Sequence, residues 1–188
     1  GKVLVIGGLY AEEGDPGEYD GDEYVTNRVE VYDPVLNTWT TVTSSPSDVV
    51  YHTTTLLPDG RAVVIGGQNE VQDDGHYLSR VDMYDPSTDS WTSMASINGD
   101  RASHTASLLE DGKILITGGY TNDEYGHATY YNKVRAFDPI TNTWTTTTLL
   151  NDARRYHEAI TLSDGQIMII GGQVTGYTYQ SFWEFIGE

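Results

Sequence analysis

The side chains with the most direct chemical potential in this sequence are three histidines, a run of carboxylates and an excess of tyrosines. His52, His104 and His157 carry imidazoles of the kind that zinc, copper or nickel accept as ligands. The stretch EEGDPGEYDGDEY (12–24) clusters carboxylate oxygens, the donors that hard cations such as calcium take. Its candidate calcium ligands are Asp15, Asp20, Asp22 and Glu23. The run Asp20-Gly21-Asp22-Glu23 does not match the spacing of an EF-hand loop, which wants carboxylates at alternate positions and a distant glutamate, so the reading is a solvated acidic loop. There is no cysteine, which removes disulfides, thiolate nucleophiles and zinc–thiolate sites. The spacing assembles no nucleophile–base pair, so no catalytic residue is assigned and a non-enzymatic role is the expectation.

The histidines belong to a larger pattern. A glycine pair after a short apolar run occurs four times, as Gly7-Gly8, Gly66-Gly67, Gly118-Gly119 and Gly171-Gly172. Each of the three histidines stands 15 residues before the second glycine of its pair. The aromatics Tyr32, Tyr84 and Phe137 each precede a tryptophan (Trp39, Trp91, Trp144) by 7 residues, and each tryptophan precedes its histidine by 13. Only the interval from the second glycine to the next aromatic varies: 24, 17, 18 and, counted to Phe185, 13 residues. A period near fifty residues is the signature of a repeat architecture.

Each module reads as four short strands. HTTTLLPDGRAVVIGG (52–67) is two apolar runs joined by Asp59-Gly60, a hairpin signal that recurs at Asp111-Gly112 and Asp164-Gly165. VEVYDPVLNTW (29–39) supplies a third strand that ends at an Asp-Pro turn, repeated in 81–91 and 134–144. A Thr/Trp-rich fourth strand follows, and no helical periodicity is present. The expected fold is all-β.

These double glycines, aromatics and tryptophans, with Arg101 and Arg154 three residues before their histidines, resemble the kelch repeat in its galactose-oxidase-like variant of about 52 residues per blade; Val49 departs from that pattern. The resemblance covers essentially the whole chain and implies a β-propeller of four-stranded antiparallel blades. Its blades would be 1–45 (strands 2–4), 50–95, 102–149 and 155–188 (strands 1–3), about 3.5 blades and 14 strands. With 4–8 blades usual, the expectation is a segment of a larger propeller. The ring would close with further blades of the same chain or by self-association. In such a ring, equivalent positions are spread around the axis. The three histidines are therefore expected to be hydrogen-bonded residues at the strand starts, not a metal triad. His76 and His127 stand alone in variable loops. Galactose oxidase uses copper and a tyrosine cross-linked to cysteine, a cofactor that a cysteine-free chain cannot hold in that form. No cofactor is expected, calcium being the one considered.

The charge maps onto the variable intervals. Of the 28 acidic residues behind a net charge of −18, 12 fall in residues 9–24, 68–79 and 120–132. Such a surface repels nucleic-acid phosphates, whose binding needs Lys and Arg, and disfavours anionic membranes; no apolar run is long enough for a spanning helix. Eight of the fourteen tyrosines lie in the same intervals, and Tyr177 and Tyr179 in the fourth variable interval make ten. Tyrosine gives a broad apolar face and a hydroxyl at low entropic cost, and loops on a rigid scaffold carry binding. The candidate binding residues are Tyr19, Tyr24, Tyr77, Tyr125, Tyr130, Tyr131, Tyr177 and Tyr179, for a protein or a glycan partner. The alternatives are a non-catalytic part of an extracellular carbohydrate-active or oxidase-type kelch enzyme, and a structural repeat in a surface assembly. The low lysine content and pI near 4.3 point to an extracellular or cell-surface setting, with the cytoplasm left open.

Overall fold

In a computed structural model, residues 1–11, 23–70, 76–175, 178–179 and 183–186 are described. They contain strands and no helix. Four antiparallel sheets follow one another along the chain. The first pairs Val3–Ile6, Val29–Asp33 and Thr38–Val42. The second orders Thr53–Leu56, Ala62–Ile65, Val81–Asp85 and Ser90–Ser93. The third orders Thr105–Leu108, Ile114–Thr117, Lys133–Asp138 and Thr143–Leu149. The fourth orders Glu158–Thr161, Ile167–Ile170 and Trp183–Ile186.

The second strands AVVI and ILIT are buried at every residue, because each of these blades has a neighbour on both faces and an alternating pattern would put polar groups between sheets. Three apolar cores result. Ile6, Val29, Val49 and Val64 pack between blades 1 and 2. Leu57, Val63, Ile65, Val81, Ile97, Ile116 and Phe137 fill the gap between blades 2 and 3, and Leu115, Val134, Leu150, Ile167 and Ile169 that between blades 3 and 4. The threonine-rich fourth strands lie at the outer rim, largely exposed.

Two sets of polar latches tie blade to blade. At the end carrying the Asp-Pro turns, Asp89 and Asn142 adopt φ of 48° and 55°. They accept the backbone N–H of Thr43 (2.9 Å) and Ala95 (2.6 Å) from the preceding blade. In return Trp91 and Trp144 donate their indole N–H to the carbonyls of those same residues, at 3.0 and 2.7 Å. At the opposite end the glycine pairs work in the same way. The second glycine donates to the blade that follows: Gly8 to Val49, Gly67 to Arg101 and Gly119 to Arg154, at 2.8–2.9 Å. Positive φ angles at all of these glycines allow that approach without a Cβ penalty.

One register differs from the residue-type alignment. Val3, Ala62 and Ile114 face Tyr32, Tyr84 and Phe137 across the second and third strands. In the fourth blade the equivalent Ile167 faces Ile186, and Phe185 faces Met168. The position homologous to the three aromatics is thus Ile186, not Phe185.

Candidate functional site

The variable intervals are not simple loops. After each glycine pair the chain forms a short ribbon. Leu9–Ala11 pairs with Glu23–Val25, and Tyr120–Asn122 with Ala128–Tyr130. Gln68 bridges both Val50 and Tyr77. Gln173–Val174 pairs with Arg154–Arg155 on one side and Thr178–Tyr179 on the other. Val50, Ala102 and Arg154–Arg155 all belong to the connections that lead into the next first strand. The ribbons and these connections therefore share one end of the blades, as the strand directions require.

At the centre of that end lies a recess of about 410 Å³ lined by Tyr51, Ser103, Tyr156, the histidines that follow them and the first-strand residues beyond. Tyr51, Ser103 and Tyr156 each have φ of 54°. Their backbones form a chain around the recess, Ser103 N–H donating to Tyr51 and Tyr156 N–H to Ser103, at 3.0 and 3.1 Å. Left-handed backbone at a non-glycine residue costs about 1–2 kcal/mol and persists where surroundings enforce it. Tyr51 and Tyr156 remain 42% and 53% exposed. Burial, then the charges of Tyr156 and Glu23, raise the Tyr51 phenol above its ordinary value.

Beside the recess Arg155 organises an aromatic cluster. Its guanidinium lies 3.9 Å from the ring centre of Tyr120, 4.8 Å from Tyr156 and 5.3 Å from Tyr130, and its Nε donates to Gln173 Oε1 at 2.9 Å. Tyr77 packs edge-on to Tyr120 at 5.2 Å. Cation–π contacts of this kind contribute about 0.5–2 kcal/mol each. Burial first, then hydrogen bonding to Tyr77, pushes the Tyr120 phenol up, so it stays neutral.

The candidate tyrosines divide accordingly. Tyr77 and Tyr130 join this cluster, whereas Tyr131 lies over Arg101 at 4.2 Å. Tyr24 stacks on Tyr10 at 5.6 Å. Tyr125 and Tyr179 are the open ones, at 75% and 76% exposure. Tyr19 and Tyr177, like Asp15, Asp20 and Asp22, lie outside the described residues. Glu23 sits in the first ribbon, and among the described residues no group of His, Asp or Glu is arranged to hold a metal ion. Arg155, Tyr51 and Tyr156 are absent from the residue list drawn from loop composition alone. Arg155 carried a signal, since the corresponding residues Val50 and Ala102 are apolar.

Two of the histidines, His104 and His157, are inter-blade struts. His104 Nε2 lies 2.9 Å from Thr53 Oγ1 of the preceding blade, and His157 Nε2 lies 3.0 and 2.8 Å from Thr105 and Thr117. Each Nδ1, including that of His52, is buried without a partner. A bare Nδ1 costs less there than an unpaired N–H, which favours the tautomer that donates from Nε2. Burial holds His52 and His157 at about 4 and His104 at about 3, against an ordinary 6.5.

These lowered values make stability depend on pH. Below 6.5 an unfolded chain takes up protons on these rings that the folded chain refuses, so stability is highest above pH 6.5. It then falls by about 1.4 kcal/mol per pH unit for each histidine until the folded values are reached. The turn carboxylates Asp33, Asp85 and Asp138, lowered chiefly by hydrogen bonds, lose their contribution only below their ordinary 3.8. The thermal midpoint is expected to drop steeply between pH 6.5 and 4.5, and His104→Gln to flatten that slope. A midpoint unchanged across this window refutes the buried neutral rings.

Blades built on this register, with latched tryptophans and glycine pairs, define a β-propeller of the repeat class. Residues 1–186 match the KLHDC2/KLHL20/DRC7 Kelch-repeats domain, and the chain belongs to the kelch-repeat family. It is 28% identical over 180 residues to Kelch-like protein terF of Aspergillus terreus, covering 93% of this chain and 37% of that protein. It is 29% identical over 172 residues to Kelch-like protein 36 of Bos taurus (92% and 25%) and 29% over 154 residues to Beta-scruin of Limulus polyphemus (78% and 16%). The chain thus spans little more than a third of the first of these relatives and less of the others.

Proposed function

We propose that this chain is a protein-recognition module that engages its partner at the ribbon end of the blades, around the recess flanked by Tyr51 and Tyr156. The observation that carries the reading is the pairing of a concave, strained mouth with exposed aromatic rings, where interfaces concentrate their energy. Arg155 and its tyrosines form a rigid shoulder beside it, with few rotamers left to lose on binding. Glu23, Asp123 and Glu124 supply negative charge near this end, so the complementary partner surface is basic or neutral with aromatic or apolar anchors. Kelch-repeat relatives support a scaffold role over catalysis.

The test is affinity capture with the intact protein carrying Tyr51→Ala and Tyr156→Ala together. The matched control is Val35→Asp, on the exposed Asp-Pro turn at the other end. The double variant is expected to lose a specific partner by about tenfold or more in affinity, while the control keeps it. Equal loss in both, or retention in the double variant, moves the interface off this end.

A further inference from the structure

One position at the ribbon end breaks the repeat in charge. Two residues before each repeated histidine stand Val50, Ala102 and Arg155. They face equivalent ribbon residues, Gln68, Tyr120 and Gln173, each directly after the second glycine of its pair. Val50 and Ala102 are buried, whereas Arg155 is half-buried. Two modules build this contact with an apolar side chain, so the scaffold does not require a cation here.

Arg155 is held by the face of its guanidinium and by one nitrogen. The group lies 3.9 Å from the ring centre of Tyr120 and 4.8 Å from that of Tyr156. Its Nε donates to Oε1 of the buried Gln173 at 2.9 Å. The two Nη groups carry all but one of an arginine's N–H donors, and neither has a hydrogen-bond partner among the described residues. Lys2, Arg28, Arg61, Arg80, Lys113 and Arg154 each have a carboxylate at 3.2 Å or less. Arg155 has none among the described residues, although the chain carries 28 acidic residues. Tyr156 also lines the recess, so the unused donors stand on its rim.

We propose that Arg155 is the specificity residue of the recognition end, pairing with one Asp or Glu side chain that the partner places beside Tyr156. The inference rests on the reading of that end as the partner-binding surface. A guanidinium fixed over aromatic rings keeps its in-plane N–H donors for a carboxylate, whose two oxygens match their fork. Its conformation is set before the partner arrives, so little side-chain freedom is lost on pairing. The net charge of −18 repels a run of acids. The partner therefore carries a single carboxylate among apolar, aromatic or basic residues. A residue that only clamped the ribbon would use the ring contacts and Nε, and would respond to no carboxylate.

The test selects phage-displayed random peptides on the intact protein and keeps those that lose binding to the Tyr51→Ala, Tyr156→Ala double variant. These peptides are expected to share one Asp or Glu flanked by apolar, aromatic or basic residues. Each is resynthesised with an amidated C-terminus and titrated in its acid form and in its Asn or Gln form. Replacing the acid is expected to cost about tenfold or more in affinity on the parent protein and to change nothing on Arg155→Val. Valine is the residue that the first repeat holds at this position, and a thermal melt checks that the variant is folded. Arg155→Lys keeps the charge without the fork and is expected to lose most of the acid dependence. Acid dependence equal to the parent's in either variant, or binding that needs a free C-terminal carboxylate, overturns the assignment. Peptides that depend on the two tyrosines but not on an acid overturn the role of Arg155 alone. A selection without any peptide dependent on those tyrosines overturns the recognition reading itself.

Discussion

Gly118→Ala is expected to destabilise the chain by about 4 kcal/mol and to leave little folded protein. Three costs combine. The residue has φ of +59°, where a side chain costs about 1–2 kcal/mol. A Cβ built there lies 2.5 Å from the carbonyl oxygen of Arg154 and 2.6 Å from His157 Cε1, both in the next blade. That carbonyl accepts the Gly119 N–H at 2.8 Å, so the methyl group must part the blades and stretch the bond that latches them. Overpacking of this kind costs about 1–3 kcal/mol, and the lost hydrogen bond about 1 kcal/mol. A domain holds only about 5–15 kcal/mol in all. Gly112→Ala is the matched control: its φ is +83° and nothing lies within 4 Å of the added carbon, so it carries the backbone strain alone. Urea unfolding of the two variants measures the difference, and a Gly118→Ala midpoint equal to that of Gly112→Ala rules out the clash.

Arg154→Leu is expected to cost about 3–5 kcal/mol, and Glu184→Leu added to it to recover much of that loss. Arg154 is buried, and its guanidinium connects Glu184, the Gly171 carbonyl and, at 3.4 Å, the Asp152 carbonyl. Removing the cation strands Glu184 in the gap between blades 3 and 4, with the Asn151 N–H as its remaining partner. Removing both charges trades an ion pair for apolar contact, which is often close to neutral. Arg101→Leu is the informative comparison. It strands no carboxylate and forfeits carbonyl contacts of 3.3–3.5 Å and the Tyr131 ring at 4.2 Å, so it is expected to cost less than Arg154→Leu, about 2–3 kcal/mol. A double-mutant cycle on Arg154 and Glu184 with no coupling refutes the pair as a structural element.

Much of the scaffold is legible in the sequence because its parts are local and repeated. Asp59-Gly60 and Asp33-Pro34 shape turns with their own side chains: Asp59 accepts the Arg61 N–H, and Asp33 those of Val35 and Leu36. The fourth-blade register was less legible. WEF presents an aromatic at every second residue, so type alone aligns Phe185 with Phe137. The strand instead turns Glu184 and Ile186 toward the third blade and leaves Trp183 and Phe185 exposed. A buried arginine needs its carboxylate more than the gap needs a ring, and a one-residue slip would reverse both faces.

The candidate binding end was legible only in outline. Interval lengths located it and composition filled it with tyrosines, but neither could distinguish Tyr131, which lies over a buried arginine, from Tyr125, which stands in solvent. Nor could they foresee the mouth formed by Tyr51, Ser103 and Tyr156, since nothing in a tyrosine or serine announces a left-handed backbone.

The sequence by itself determined the repeat, its strands, its tight turns and the end of the blades where variation collects, since each depends on residues a few positions apart. The tertiary structure decided which charges meet. Arg101 and Arg154 occupy one repeat position, yet among the described residues only Arg154 has a carboxylate partner, Glu184, and only the packing of strands some thirty residues apart brings that pair together.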